Sequence, residues 1–105
     1  GGAGSRLSAA QRVKLAIARC ILKRPDLLIV DEATAALDGG TQLRILKNLV
    51  SEMSGRGLIW VLHRASLAEH FDVTMVLDEG KVVQIGQYQD LNTPGTPLDA
   101  LVAQG

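Results

Sequence analysis

Apolar side chains recur along this chain at two different periods. Val13, Ile17, Cys20 and Ile21 fall three and four residues apart, with Arg12, Lys14, Arg19 and Lys23 mostly on other faces, which predicts an amphipathic helix over about 9–23. Ser8-Ala9-Ala10-Gln11 opens it in the capping-box pattern, where Ser and the Gln three residues later each satisfy a backbone N–H. Pro25 disfavours helical backbone at Arg24 and closes it. Leu27-Leu28-Ile29-Val30 is unbroken by polar residues, which predicts a strand covered on both faces, ending at Asp31-Glu32. Leu43, Leu46, Val50 and Met53 mark the buried stripe of a second helix, stopping near Gly55. A second apolar strand over Leu58–Leu62 runs into His63-Arg64. A short helix over Ser66–His70, a strand over Val73–Leu77, a turn at Asp78-Glu79-Gly80 and a returning strand over Lys81–Ile85 follow. Pro97 is placed to start a terminal helix over Leu98–Ala103.

Helices alternating with strands, closed by a hairpin, read as an α/β layered domain. No strand precedes its first helix. At 105 residues the chain holds one small domain, and 47% hydrophobic with 21% charged residues is globular composition. Eleven basic residues cancel eleven acidic ones, so net charge gives no support to a nucleic-acid or membrane-surface role. Trp60, Phe71 and Tyr88 are too few for a base-stacking platform. Six of the basic residues lie within residues 1–24, which hold no acid; this reads as a solvated helix face or as an anion-facing edge. Cys20 is alone, which excludes an intrachain disulfide and favours a reducing compartment; it is expected in the core with Trp60. No run of ~18 apolar residues marks a membrane span, and no leader pattern opens the chain.

Four polar features stand in order along the chain. Ser8 caps a helix whose N-terminus presents unpaired N–H groups and partial positive charge, suited either to a cap alone or to a phosphate. Asp31-Glu32 ends an apolar strand, as a solvated pair or as a ligand-facing one. Asp38 follows Ala36-Leu37, and His63 ends the next strand, either as a loop residue or as part of a site. His70 reads as a structural residue only.

In this order and spacing, Leu7-Ser8-Ala9-Ala10-Gln11, Leu28-Ile29-Val30-Asp31-Glu32, Ala36-Leu37-Asp38 and Leu62-His63-Arg64 resemble the C-terminal half of an ATP-binding cassette (ABC) nucleotide-binding domain. They stand in the places of its signature motif LSGGQ, Walker B motif, D-loop and switch histidine. The resemblance runs from about residue 4 to 91 and implies a partial P-loop NTPase (RecA-like) parallel sheet flanked by helices, with a C-terminal β-hairpin and the Walker A strand missing. The expected division is a signature helix over about 8–24, a Walker B-to-hairpin stretch over about 27–86, and a tail over 87–105.

The resemblance further implies ATP and Mg²⁺ as cofactors. Leu7, Ser8, Ala9, Ala10 and Gln11 would meet the γ-phosphate of ATP held by the opposite domain of a head-to-tail dimer. Asp31 would hold Mg²⁺ through water, Glu32 would deprotonate the attacking water, His63 would sense the γ-phosphate, and Asp38 would reach toward the partner. The implied partners are a second nucleotide-binding domain, the transmembrane domains of a transporter and the missing Walker A half of the domain itself. The implied location is the cytoplasmic face of the cell membrane. The phrase Asp31-Glu32-Ala33-Thr34-Ala35-Ala36-Leu37-Asp38 resembles exporters in particular.

Two features depart from the family. Ala9-Ala10 replace the two signature glycines, placing methyl groups where close backbone approach is expected. No G-x-x-x-x-G-K-[ST] phosphate loop occurs, so the chain is expected to be a fragment, inactive alone, with unpaired edges on the strands flanking the absent one. The rival readings are a degenerate cassette half that regulates without hydrolysis, and a soluble ABC ATPase of DNA repair or translation.

Overall fold

The computed structural model describes residues 8–31, 34 and 37–105, which form parts of two compact units, Gly1–Val61 and Leu62–Gly105. In the first, helix α1 (Ala9–Leu22) leads to strand β1 (Leu27–Asp31), helix α2 (Gly39–Glu52) and strand β2 (Gly57–Val61). The break after α1 follows from sequence: Arg24 adopts φ of 51°, the left-handed conformation that often ends helices, and its N–H donates to the Ile21 carbonyl at 2.8 Å. Pro25 makes helical backbone at Arg24 unfavourable, so a non-glycine residue accepts that conformation. Strands β1 and β2 pair in parallel, with Leu28 opposite Leu58, Val30 opposite Trp60 and Asp31 opposite Val61.

The core of this unit is Val30, Leu49 and Met53, flanked by Ile17, Ile21, Leu28, Leu58 and Trp60. Helices α1 and α2 therefore both contribute to one face of the ladder, through side chains of alternate strand positions. Trp60 packs against the core as expected, but three other expectations are corrected. The apolar strands are covered on one face only: Val30 is 4% exposed, whereas Ile29 is 60% exposed and Leu27, Ile59 and Val61 are also exposed. Cys20 is exposed, because α1 turns a narrow strip of Val13, Ile17 and Ile21 inward and Cys20 lies about 100° around the helix from Ile21. The buried stripe of α2 runs through Gln42, Ile45, Leu46, Leu49 and Met53 rather than Leu43 and Val50, which are half-buried.

The second unit begins with a 3-10 helix (Ala65–His70), then strands β3 (Thr74–Asp78) and β4 (Lys81–Gly86), a short helix α3 (Tyr88–Leu91) and helix α4 (Pro97–Gln104). Strands β3 and β4 pair antiparallel through a two-residue turn. Glu79 and Gly80 both take positive φ, 49° and 76°, as a type I′ turn requires. A bulge between Val76 and Leu77 shifts the register by one residue. Gln84 ties the strand to both helices: its Oε1 accepts from the Leu98 N–H at 2.8 Å, and its Nε2 donates to the Leu91 carbonyl at 3.2 Å. Thr96 caps α4 by accepting from the Asp99 N–H, with Pro97 at the first turn as anticipated. Helix α3 was not anticipated. Four residues carry too little periodicity to mark a helix in sequence.

Strands β1 and β2 form one two-stranded sheet and β3 and β4 another. Among the described residues no helix is long and apolar enough to cross a membrane. The outward face of the hairpin is apolar too, with Leu77 63% exposed beside Val73, Met75, Val82 and Ile85. Exposed apolar strand faces favour association. The isolated chain is therefore expected to self-associate, its weight-average sedimentation coefficient rising with concentration across the micromolar range. A concentration-independent monomer would contradict this.

Candidate functional site

The first site element is the N-terminus of α1. Ser8 Oγ accepts from the Gln11 N–H at 3.1 Å, and Gln11 Oε1 accepts from the Ser8 N–H at 2.8 Å, so the capping box read from sequence forms in full. Two of the helix's open donors are thereby used. The N–H groups of Ala9 and Ala10, in the first turn, have no intrahelical acceptor. No acidic residue occupies that turn, so the positive end of the helix dipole is uncompensated by charge on its own helix. Leu7 lies outside the described residues.

Asp31 is the last residue of β1 and is exposed. Its position follows from the register: Val30 points into the core, so Asp31 points to the opposite face. A carboxylate at this edge is a hard oxygen donor and suits Mg²⁺, directly or through water. Glu32, the expected catalytic base, lies outside the described residues, as do Ala33, Ala35 and Ala36. His63 is exposed in the second unit, two residues beyond the end of β2 in sequence. His70 pairs with Glu69 at 3.6 Å, consistent with a structural role.

Asp38 is the N-cap of α2. Its carboxylate accepts from the Thr41 N–H at 2.9 Å and from Thr41 Oγ1 at 2.9 Å, while Arg44 Nη2 donates to Thr41 Oγ1 at 3.3 Å. The Thr41 N–H, then its hydroxyl, and then the Arg44 charge stabilise the ionised form and hold the Asp38 carboxyl below the usual carboxylate range. The next residue, Gln42, is buried and donates through Nε2 to the Thr34 carbonyl. Thr41 and Gln42 thus join Asp38 to Thr34 through one turn of α2. Sequence reasoning passed over both, although a Thr three residues after an Asp cap is a visible signal.

The fold is an α/β layer in which a parallel strand ends in a carboxylate and a helix opens on a neutral cap. A protein-family model described as ABC transporter matches residues 2–35. The chain is 45% identical over 91 residues to "ABC transporter 1" of Ajellomyces capsulatus, covering 87% of this chain and 7% of that protein. It is 44% identical over 91 residues to an ATP-dependent lipid A-core flippase of Xanthomonas campestris pv. campestris, covering 87% of this chain and 15% of that one. Among solved structures it matches a bacterial Atm1-family ABC exporter with ATP bound, at TM-score 0.83 and 34% identity, over 93% of this chain and 17% of that chain. Sequence and fold both match the ATP-binding regions of ABC transporters. It spans between 7% and 15% of the length of these two curated relatives.

The lowered pKa of Asp38 has a definite linkage sign. Its bonds stabilise the native chain above the ordinary Asp pKa of about 3.9, and that contribution is lost as pH falls through the lowered folded value. Asp38→Ala is therefore expected to lower the urea midpoint at neutral pH, with the gap to the unsubstituted chain narrowing as pH falls below ~4 toward ~2. A gap that stays constant over that range would show that the Asp38 charge contributes nothing.

Proposed function

We propose that this chain is the signature-to-hairpin portion of the ATP-hydrolysing cassette of an exporter-type ABC transporter. The observation that carries the reading is the succession, along an ABC exporter's fold, of a capped helix start at Ser8, a strand-end carboxylate at Asp31 and a capped Asp38. The cassette pairs head-to-tail with a second nucleotide-binding domain, couples to the transmembrane domains of the transporter and lies at the cytoplasmic face of the cell membrane. The Walker A half of the same domain supplies the P-loop and covers the exposed face of Leu27, Ile29, Ile59 and Val61. The chain alone does not turn over ATP.

Within that reading the residues divide the work. Leu7, Ser8, Ala9, Ala10 and Gln11 present the helix start to the γ-phosphate of ATP held by the partner cassette. Ser8 Oγ already accepts from Gln11, so its hydroxyl proton remains to donate to a phosphate oxygen, beside the Ala9 and Ala10 N–H groups. Asp31 holds Mg²⁺ through water; the ion, when bound, neutralises charge on the phosphate oxygens. Glu32 orients the attacking water and takes its proton. His63 contacts the γ-phosphate, and Asp38 fixes the loop that faces the second domain.

Glu32→Gln in the full-length transporter is expected to cut ATP turnover about 10²–10⁴-fold, the usual contribution of a general base, while nucleotide binding persists. Unchanged turnover would overturn the hydrolytic reading. Ala9 and Ala10 favour a second reading, because both are helical from the first turn and set methyl groups where the signature has glycine. A cassette crowded there regulates its partner and hydrolyses slowly. The double substitution Ala9→Gly, Ala10→Gly is expected to raise the transporter's ATPase rate, whereas an unchanged rate would remove crowding as an explanation.

A further inference from the structure

Between β1 and the cap of α2, the described residues Thr34 and Leu37 are both buried. The Thr34 carbonyl is a shared acceptor: it takes the Leu37 N–H at 3.0 Å and the side-chain amide of Gln42. Gln42 is 5% exposed, on the face of α2 that also buries Ile45 and Leu49. A primary amide on an otherwise apolar helix face is costly to bury unless its hydrogen bonds are satisfied, so its place there is tied to that carbonyl. The preceding residue, Thr41, holds Asp38 through two further bonds. One turn of α2 therefore holds both Thr34 and Asp38, and in the sequence Glu32 falls between Asp31, paired in the β1–β2 ladder, and Thr34, held by Gln42.

We infer that Gln42 is a positioning residue for ATP hydrolysis: by holding the Thr34 carbonyl it fixes Thr34, which follows Glu32 by two residues in the sequence, against the first turn of α2. This rests on the cassette reading above, and it adds a residue that touches neither nucleotide nor metal. Small displacements of a catalytic group by remote changes lower the chemical step far more than binding, because a near-attack geometry is lost while ground-state contacts persist.

The test uses Gln42→Met, which keeps side-chain length and helix propensity but removes the donor, and Gln42→Asn, which keeps the amide but shortens its reach. In the full-length transporter, kcat for ATP is expected to fall about 10- to 100-fold with KM within about twofold. In the same full-length transporter, amide exchange at Leu37 is expected to accelerate at least about tenfold while amides in the middle of α2, such as Leu49, keep their protection. Unchanged kcat in both variants overturns the inference, and so does unchanged exchange at Leu37. A fall in kcat that merely tracks loss of folded protein, with α2 protection lost as well, assigns Gln42 to stability alone. If the unsubstituted transporter hydrolyses no ATP, the cassette reading fails and positioning for hydrolysis fails with it. The exchange result then still decides whether Gln42 holds the loop.

Discussion

Burial of Val30 against Leu49 and Met53 determines which way the carboxylate of Asp31 faces. A strand alternates its side chains, so once Val30 is committed to the core its neighbour Asp31 must face away from it. A one-residue slip would bury the carboxylate and expose the valine, at the cost of a desolvated charge. Parallel pairing with β2 repeats the constraint, since Trp60 lies opposite Val30 and Val61 opposite Asp31. The exposed carboxylate is thus a consequence of core packing two residues wide.

The same packing governs the connection that follows. Leu49 and Met53 orient α2 about its axis, and that orientation turns Gln42, about two and three turns earlier on the same side, toward Thr34. Asp38, three residues before Thr41, then closes the helix end with two bonds from one residue. The core residues Leu49 and Met53, the Thr34 carbonyl and the Asp38 cap are therefore all tied to α2. A loop whose residues serve chemistry benefits from being held this way, because loop backbone left to itself samples many conformations.

Much of this was legible in the sequence. The capping box at Ser8 and Gln11, the stop at Pro25, the hairpin at Glu79-Gly80 and the Pro97 helix start are local signals, and each formed as read. What misled was tertiary. Cys20 shares the three-and-four spacing of a buried stripe, but the strip that packs is narrower than the stripe the spacing allows. Leu27 and Ile29 carry the composition of a strand covered twice, and the chain itself covers that strand once. Gln42 was missed for the opposite reason: polarity argues for the surface, and only coordinates reveal a carbonyl waiting in the interior. The candidate site was legible chiefly through motif order, since Asp31, Asp38 and His63 taken singly have ordinary structural uses.

The capped helices α1 and α2 show why order mattered more than residue type. Both begin with a cap accepting from the residue three further on, and neither has an acid within its first turn. They differ in charge at the cap. Asp38 places a carboxylate on the N-terminus of α2, so that helix's dipole is compensated from within and its pull on an outside anion is weakened. Ser8 is neutral, and its capping box satisfies two donors without adding any negative charge. Helix α1 therefore keeps its electrostatic attraction for an anion while remaining well capped. The methyl groups of Ala9 and Ala10 act on distance alone and leave that attraction in place. Sterics and electrostatics are thus set against each other at one helix start, and in the proposed signature role the closeness of a phosphate's approach to Ala9 and Ala10 decides which of them governs.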